Sequence, residues 1–284
     1  MHSVEAKSIL SASNGMNVYR GCSHGCIYCD ARSSCYHTPV PFEDIEVKAN
    51  APLLLDRALS RKRKQCMIGT GAMSDPYIPL EETLCITKKC LEVIERHGFG
   101  LAIQTKSDLI LRDTQLLCAI NRKAKCVVQM TLTTYDEYLS RIIEPAVCTT
   151  KRRIAVLDAM HSLGIPTIVW LSPILPFIND TMENIQPILD ACVQCGVKGI
   201  ICFGMGLTLR EGNREYFYDA LDKHFPGMKK RYVQEFGSAY EVPSHNTTQL
   251  MTYFHQFCKE HRILHTPESC FAYMKEFSPQ LSLF

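Results

Sequence analysis

The sequence lacks a strong charge of either sign. It has 31 lysines and arginines against 29 aspartates and glutamates, so the formal charge of its 284 residues is +2. This balance gives no overall electrostatic footprint for nucleic acid. Short basic runs occur at residues 61–64, 151–153 and 229–231, but such runs are more often solvated faces than binding surfaces. Nucleic acid stays open as a partner but is not indicated.

The sequence also lacks a long hydrophobic run. The longest apolar stretch, residues 167–178, is too short to span a bilayer and contains Pro173 and Pro176. We therefore expect no membrane partner. Fifteen cysteines would suggest disulfides in a small secreted protein, but this chain is large and begins with a polar segment rather than a signal peptide. A reducing, cytoplasmic location is the expectation.

Internal repeats and low-complexity tracts are absent, and short β-branched or apolar runs alternate with helical patterns. This alternation predicts a parallel α/β fold. The predicted strands are residues 16–19, 66–70, 101–105, 126–131, 167–171 and 199–203. The predicted helices between them are residues 52–61, 81–97, 109–121, 151–163 and 182–195, with Gly98, Gly164 and Gly196 as stops.

Right-handed crossovers would wind these units into a barrel or a partial barrel, with ligands at the carboxyl ends of the strands. The alternation stops near residue 205. Helices are predicted at residues 215–225 and 246–262, followed by a tail at residues 270–284 with enough aromatic side chains to close a barrel mouth or line a substrate pocket. We predict a core at residues 1–205 and a helical C-terminal extension at residues 206–284.

Three cysteines lie within eight residues of a glycine-containing loop after the first predicted strand. They are Cys22, Cys26 and Cys29. Thiolates are the ligands of iron–sulfur clusters, and three of them on a four-iron cluster leave one iron open to a small molecule. The alternatives are three unrelated structural thiols or a zinc site completed by His24 or His37, although zinc sites usually contain paired Cys-x-x-Cys units.

The spacing Cys-x3-Cys-x-aromatic-Cys, with Tyr28 as the aromatic residue, resembles the signature of the radical S-adenosylmethionine (SAM) superfamily. The resemblance implies a partial (β/α)6 TIM-like barrel of the radical SAM type. It also implies a 4Fe-4S cluster and SAM as cofactors, with SAM cleaved to a 5'-deoxyadenosyl radical. An organic substrate of unknown class and a reductant such as flavodoxin or ferredoxin would be the partners.

Residues 70–77, 105–107 and 144–145 resemble the spore photoproduct lyase-like branch of that superfamily. The resemblance implies that Lys106 pairs with the SAM carboxylate, that Ser74 accepts from the SAM ammonium, and that Asp75 and Tyr28 belong to the same cofactor site. Thr131 matches a position where a small hydroxyl residue touches the cofactor, with an ordinary strand threonine as the alternative. Glu144 and Arg153 match the pattern as well, either as ligands of the ribose and a carboxylate or as partners of each other.

The sequence departs from the lyase pattern at Ala72, where the lyase has the cysteine that donates hydrogen to its product radical. The candidate replacement donors are Cys35, Cys66, Cys202, Cys270, Tyr77 and Tyr273. The leading hypothesis is a radical SAM enzyme that abstracts hydrogen from a nucleobase or nucleotide, or else from a peptide or small metabolite. The alternatives are a DNA repair lyase of the spore photoproduct type and a non-enzymatic iron–sulfur electron carrier.

Overall fold

Strands and helices alternate through the first 200 residues of the computed structural model, which describes residues 1–37 and 40–277. The strands of the described residues are β1 (His2–Val4), β2 (Gly15–Met16), β3 (Tyr19–Arg20), β4 (Glu46–Lys48), β5 (Met67–Thr70), β6 (Gly100–Thr105), β7 (Cys126–Thr131), β8 (Thr167–Trp170), β9 (Gly199–Ile201), β10 (Gly206–Thr208) and β11 (Glu241–Pro243). Six of them form one parallel sheet in the order β2-β5-β6-β7-β8-β9. The predicted α/β fold with a partial barrel is confirmed.

The helices follow the strands in the order that a parallel sheet requires. They are α1 (Ala51–Ser60), α2 (Glu81–Leu84), α3 (Ile86–His97), α4 (Thr114–Lys123), α5 (Glu137–Ile143), α6 (Thr150–Ser162), α7 (Met182–Gln194), α8 (Asn213–His224), α9 (Met228–Phe236), α10 (Thr247–Glu260) and α11 (Pro267–Lys275). Gly98, Gly164 and Gly196 take positive φ angles of 68°, 67° and 60° beyond the ends of α3, α6 and α7, as predicted. Within the described ranges, no helix has the length and hydropathy needed to cross a membrane.

The two faces of the sheet bury different partners, because successive side chains of a strand point to opposite sides. Leu101, Ile103 and Val128 belong to the large cluster that includes side chains of the surrounding helices, such as Leu91 and Leu117. The residues between them, Ala102 and Val127, form another buried cluster with Ile168, Ile201 and the α11 residues Cys270 and Met274. The C-terminal helix α11 therefore covers the inner face of the partial barrel.

The amino end of the sheet is closed by the same helix. Lys125 precedes β7 and donates from Nζ to the carbonyl oxygen of Tyr273 at 2.6 Å, and Nζ lies 3.5 Å from the centre of the Tyr273 ring. The edge strand β9 is protected by a parallel bridge between Gly199 and Leu264. Residues 278–284 of the predicted aromatic tail lie outside the described residues.

Three of the predicted elements differ from the structure. The predicted helix at residues 109–121 is a 3-10 helix at Asp108–Asp113 followed by α4. The predicted strand at residues 16–19 consists of β2, which pairs with β5, and β3, which pairs antiparallel with β4 in a small separate sheet. The predicted helix at residues 81–97 is interrupted at Cys85, where φ is 53°. The Glu81 carboxylate there accepts from the backbone N–H groups of Thr87 and Lys88, at 2.9 and 3.2 Å, and so caps the start of α3.

The C-terminal extension packs on the core, with α8 to α11 as its helices. It also contains the antiparallel pair β10 and β11. Leu207, Val242 and the α8 residue Phe217 share a buried cluster with Cys26 and Tyr28. The division at residue 205 stays a prediction, and the buried clusters take residues from both segments.

Candidate active site

A cavity of about 650 Å³ opens at the carboxyl end of the central sheet, the end at which barrel enzymes place their chemistry. Its volume is within the range of about 300–1,000 Å³ typical of small-molecule sites. The predicted site residues in its lining are Cys22, Cys26, Tyr28, Cys29, Ser74, Asp75 and Lys106. Gly204, Met205 and Gly206, at the end of the sixth strand of the sheet, line it as well. Sequence motifs separated by more than 80 residues therefore converge on one cavity.

Turns rather than regular structure shape the cysteine loop. Gly21 has a φ of 81°, and a Cβ atom there would lie 2.4 Å from the Phe42 carbonyl oxygen, so only glycine fits at this position. The backbone N–H of Cys22 donates to the same oxygen at 3.2 Å, and that of Cys29 donates to the Cys26 carbonyl oxygen at 3.2 Å. The loop thus turns its three thiols toward one cavity.

Burial disfavours the thiolate form of these cysteines as long as no metal is bound. It raises the pKa of Cys22 to about 12, although the backbone N–H groups of His24 and Asp75 act in the opposite direction. It also raises the pKa of the Cys26 thiol. Since metals bind the thiolate, loading such a site releases protons.

Asp75 ties the loop after β5 to the end of β6. Its carboxylate accepts from the backbone N–H of Tyr77 at 2.8 Å, from Thr105 Oγ1 at 2.7 Å and from the backbone N–H of Lys106 at 2.8 Å. Asp75 Oδ2 also lies 3.5 Å from His24 Nδ1 in the cysteine loop. Asp75 therefore holds the backbone of Lys106 in place while it lines the cavity.

Ser74 connects the same loop to the cysteines, since its hydroxyl donates to the carbonyl oxygen of Gly21 at 2.6 Å. The hydroxyl oxygen keeps a lone pair for a ligand N–H group.

The ammonium of Lys106 has no partner in the described part of the chain. Its nearest aromatic neighbour is the Tyr28 ring, whose centre lies 6.0 Å from Nζ. Burial lowers the pKa of this ammonium, but the acidic groups of Cys26, Glu144 and Asp75 outweigh burial, so the pKa lies above its usual value. Lys106 is therefore a charged donor that the fold leaves available at the cavity.

Thr131 and Arg153 lie behind the cavity wall rather than in its lining. Arg153 is fully buried and donates from Nη1 to the Thr131 carbonyl oxygen at 2.8 Å, from Nη2 to Ser140 Oγ at 3.1 Å, and to the Glu144 carboxylate. Burial would raise the pKa of Glu144, but the charge of Arg153 keeps it below its usual value. Of the two alternatives for Glu144 and Arg153, the structure has them paired with each other.

In the part of the chain that the structure describes, no set of side chains converges to bind a zinc ion. Across residues 1–37 and 40–277, no three Cys, His, Asp or Glu side chains are grouped closely enough to hold a single metal ion. His24 lies beside Asp75. The donor chemistry at the cavity is that of three thiols, which suits an iron–sulfur cluster, and the cavity has room for a group larger than one ion.

None of the six candidate replacement donors lines the described cavity wall. Tyr77 is fully buried and bonds to Asp113, and Cys270 is buried on the inner face of the sheet. Tyr36 does line the cavity, and its hydroxyl donates to Asp30 Oδ2 at 2.8 Å.

The sequence reasoning missed the part of the wall that the C-terminal extension supplies. Its lining residues are Leu207, Thr208, Glu241, Val242, Pro243 and Thr247. Strands β10 and β11 have only three residues each, so no periodic pattern marked them. Gln104 was also missed, because in sequence it is an ordinary polar residue of a strand.

The model of the Radical SAM superfamily matches residues 16–192, well over half of the chain. The chain belongs to the radical SAM superfamily. Members of this family use a 4Fe-4S cluster and SAM.

Several curated relatives are uncharacterized proteins. One from Mycobacterium tuberculosis is 30% identical over 227 residues, covering 76% of this chain and 65% of the relative. One from Methanocaldococcus jannaschii is 32% identical over 167 residues, covering 58% and 61%. One from Acidianus two-tailed virus is 26% identical over 261 residues, covering 87% and 81%. The chain thus spans slightly less than two thirds of the mycobacterial relative.

Among solved structures, a spore photoproduct lyase mutant matches with a TM-score of 0.65 and 14% identity, covering 93% of this chain and 80% of the lyase chain. Another mutant, with bound AdoMet and dinucleoside spore photoproduct, matches with a TM-score of 0.60 and 14% identity, covering 88% and 74%. At this level of identity the similarity concerns the fold.

Proposed function

We propose that this chain is a radical SAM enzyme in which Cys22, Cys26 and Cys29 hold the 4Fe-4S cluster. The observation that carries the proposal is that these three thiols line one cavity with Lys106, whose ammonium has no partner in the described residues. When bound, the cluster supplies the electron that cleaves SAM to a 5'-deoxyadenosyl radical, which takes hydrogen from an organic substrate.

The residues of this chain bind and orient the cofactor in this proposal. Lys106 meets the SAM carboxylate with a charge-assisted hydrogen bond. Ser74 accepts from the SAM ammonium through its free lone pair, and Asp75 fixes the backbone of Lys106. Tyr28 forms the wall beside Lys106, while Thr131 and Arg153 support that wall from behind.

The substrate in this proposal is a small organic molecule, with a nucleobase or nucleotide favoured by the likeness to a lyase that binds a dinucleoside. A peptide or small metabolite is the alternative. The partner that delivers electrons is a reductant such as flavodoxin or ferredoxin. A reducing, cytoplasmic compartment suits the fifteen cysteines, all of which are free thiols.

Two other functions are less well supported. Strict spore photoproduct repair needs a hydrogen donor, but Ala72 lines the cavity where the lyase pattern has a cysteine, and Cys22, Cys26 and Cys29 are the only thiols in the described lining. Electron transfer alone requires neither a small-molecule cavity of this size nor an available lysine at the cavity wall.

The test is anaerobic reconstitution with iron and sulfide, followed by incubation with SAM and dithionite. The proposal predicts 5'-deoxyadenosine from the reconstituted protein and none from Cys26→Ala. Cys66→Ala, at the amino end of β5 and outside the cavity, is the matched control and should behave as wild type. A protein that binds a full cluster and makes no 5'-deoxyadenosine would be a carrier.

A further inference from the structure

A buried polar network joins the cysteine loop to the segment after α5. The Tyr28 hydroxyl donates to one oxygen of the Glu144 carboxylate, and Arg153 donates to the other. The side chains of Glu144 and Arg153 are both 0% exposed. Since both carboxylate oxygens are engaged and neither residue lines the cavity, Glu144 is not placed to bind the ribose of a cofactor.

Backbone contacts join the same two segments on either side of this network. The Ile27 N–H donates to the Ile143 carbonyl oxygen at 2.9 Å, and the Ala146 N–H donates to the His24 carbonyl oxygen at 3.1 Å. Gly25, with a φ of 67°, packs so closely that a Cβ atom there would lie 3.2 Å from Pro145 Cγ. Residues 143–146 therefore contact the loop from His24 to Tyr28 on both sides of the buried network.

We infer that Glu144 is a positioning residue for the cluster, acting through Tyr28. The inference rests on the proposed cluster at Cys22, Cys26 and Cys29. Tyr28 lies between two of these ligands, so the direction of its side chain fixes the path of the loop that carries both. A hydrogen bond to a buried carboxylate is stronger than one between neutral groups, and Arg153 keeps that carboxylate charged and oriented.

The selective probe is Tyr28→Phe, which deletes one hydroxyl and leaves the Glu144–Arg153 pair intact. Loss of a hydrogen bond made by a metal-ligating side chain typically costs about 10- to 100-fold in metal affinity, and we expect the lower end of that range for Tyr28, which is the neighbour of a ligand. We expect the reconstituted variant to lose iron to a chelator about tenfold faster than wild type, while the metal-free protein stays folded with a melting temperature lowered by only a few degrees, since one buried hydrogen bond is lost. The matched control is Tyr218→Phe, because Tyr218 lies in the same buried cluster and its hydroxyl has no partner in the described residues.

A second variant separates positioning from simple charge balance. Glu144→Leu combined with Arg153→Met removes both buried charges and leaves Tyr28 without its acceptor, and replacing a buried pair by apolar residues is often tolerated by the fold. We expect a metal-free protein that still folds, with a lower melting temperature because the Tyr28 hydroxyl and the Thr131 carbonyl oxygen lose their partners, and iron loss as fast as in Tyr28→Phe. A role limited to neutralising Arg153 predicts normal iron retention instead.

These experiments separate failure of the inference about Glu144 from failure of the proposed function. Wild-type protein that takes up no cluster would defeat the proposed function itself. Wild-type protein that holds a cluster, with Tyr28→Phe releasing iron no faster than Tyr218→Phe, would overturn this inference alone. If the double variant fails to fold, the Tyr28→Phe comparison still decides.

Discussion

A lysine lies at each end of the central sheet, and the two have opposite environments. At the amino end, Lys125 is held by the Tyr273 carbonyl oxygen at 2.6 Å and the Tyr273 ring at 3.5 Å, and burial lowers the pKa of its ammonium. At the carboxyl end, Lys106 faces the cavity without a partner in the described residues, and the pKa of its ammonium is raised. The fold uses the first lysine to attach α11 and leaves the second for a ligand.

The same contrast holds for the cysteines. Cys270, on the inner face below the cavity, is buried among apolar side chains, whereas Cys22, Cys26 and Cys29 line the cavity itself. Number and burial of cysteines therefore say little about function in this chain. Their position relative to the carboxyl ends of the strands separates the structural thiols from the candidate ligands.

The largest expected effect concerns the three cavity cysteines. Cys22→Ala, Cys26→Ala and Cys29→Ala should each abolish the cluster, because a three-thiolate site has no spare ligand. The measurement is iron and sulfide per chain with the visible absorbance after reconstitution. Full cluster content in any one of the three would show that this cysteine is not a ligand.

Because Ala72 stands where the lyase pattern has a cysteine, we predict that the protein does not repair spore photoproduct. Because the described cavity wall offers no thiol beyond the three candidate ligands, the reconstituted protein should not convert a dinucleoside spore photoproduct to two thymidines, even under conditions in which it cleaves SAM slowly. Product analysis by liquid chromatography checks this, with 5'-deoxyadenosine in the same sample as the control. Stoichiometric formation of thymidine would restore the repair function.

The two lysines give a direct comparison of the ends of the sheet. Lys106→Met should weaken SAM binding by about 10- to 100-fold, because a hydrogen bond to a charged group contributes about 1.5–3 kcal/mol, and iron content should stay near wild type. Equilibrium dialysis with labelled SAM measures the affinity. Lys125→Met should lower the melting temperature and leave SAM affinity as in wild type; equal SAM affinity in both variants would remove Lys106 from the site.

The smallest expected effect on the cluster and on SAM binding concerns α11. Met274 is 6% exposed in the inner-face cluster, and truncating a buried methionine to alanine typically costs about 2–5 kcal/mol. Met274→Ala should therefore reduce the free energy of unfolding in urea while cluster content under native conditions is retained. Loss of the cluster at full stability would mean that the two ends of the sheet are coupled more closely than their contacts indicate.

Much of the barrel was predictable from sequence, because strands buried on both faces are apolar runs that helical patterns separate. The division at residues 16–19 was not, since two strands of two residues each carry no period and their partners are distant. The interruption at Cys85 depends on Glu81, whose carboxylate caps α3 from outside the helix. Helix periodicity does not encode a contact of this kind.

For the site, the spacing of Cys22, Cys26 and Cys29 with strand-end positions such as Lys106 identified residues that share a cavity. The part of the cavity wall that lies between Leu207 and Thr247 in the sequence could not be predicted, because it comes from short strands in a segment without periodicity. Thr131 and Arg153 matched family positions by sequence, yet their side chains lie behind the wall. A motif match locates a residue near a site but not the direction of its side chain.

Electron paramagnetic resonance of the reduced, reconstituted protein, with and without SAM, tests directly whether Cys22, Cys26 and Cys29 hold a cluster that binds SAM. Three cysteine ligands leave one iron open, so SAM should bind that iron and change the spectrum of the reduced cluster. We expect a clear change in g values on adding SAM to wild type and a smaller population of the changed species for Lys106→Met at the same SAM concentration. A full cluster whose spectrum is identical with and without saturating SAM would show that SAM does not bind the cluster and that this chain is not a radical SAM enzyme of the proposed kind.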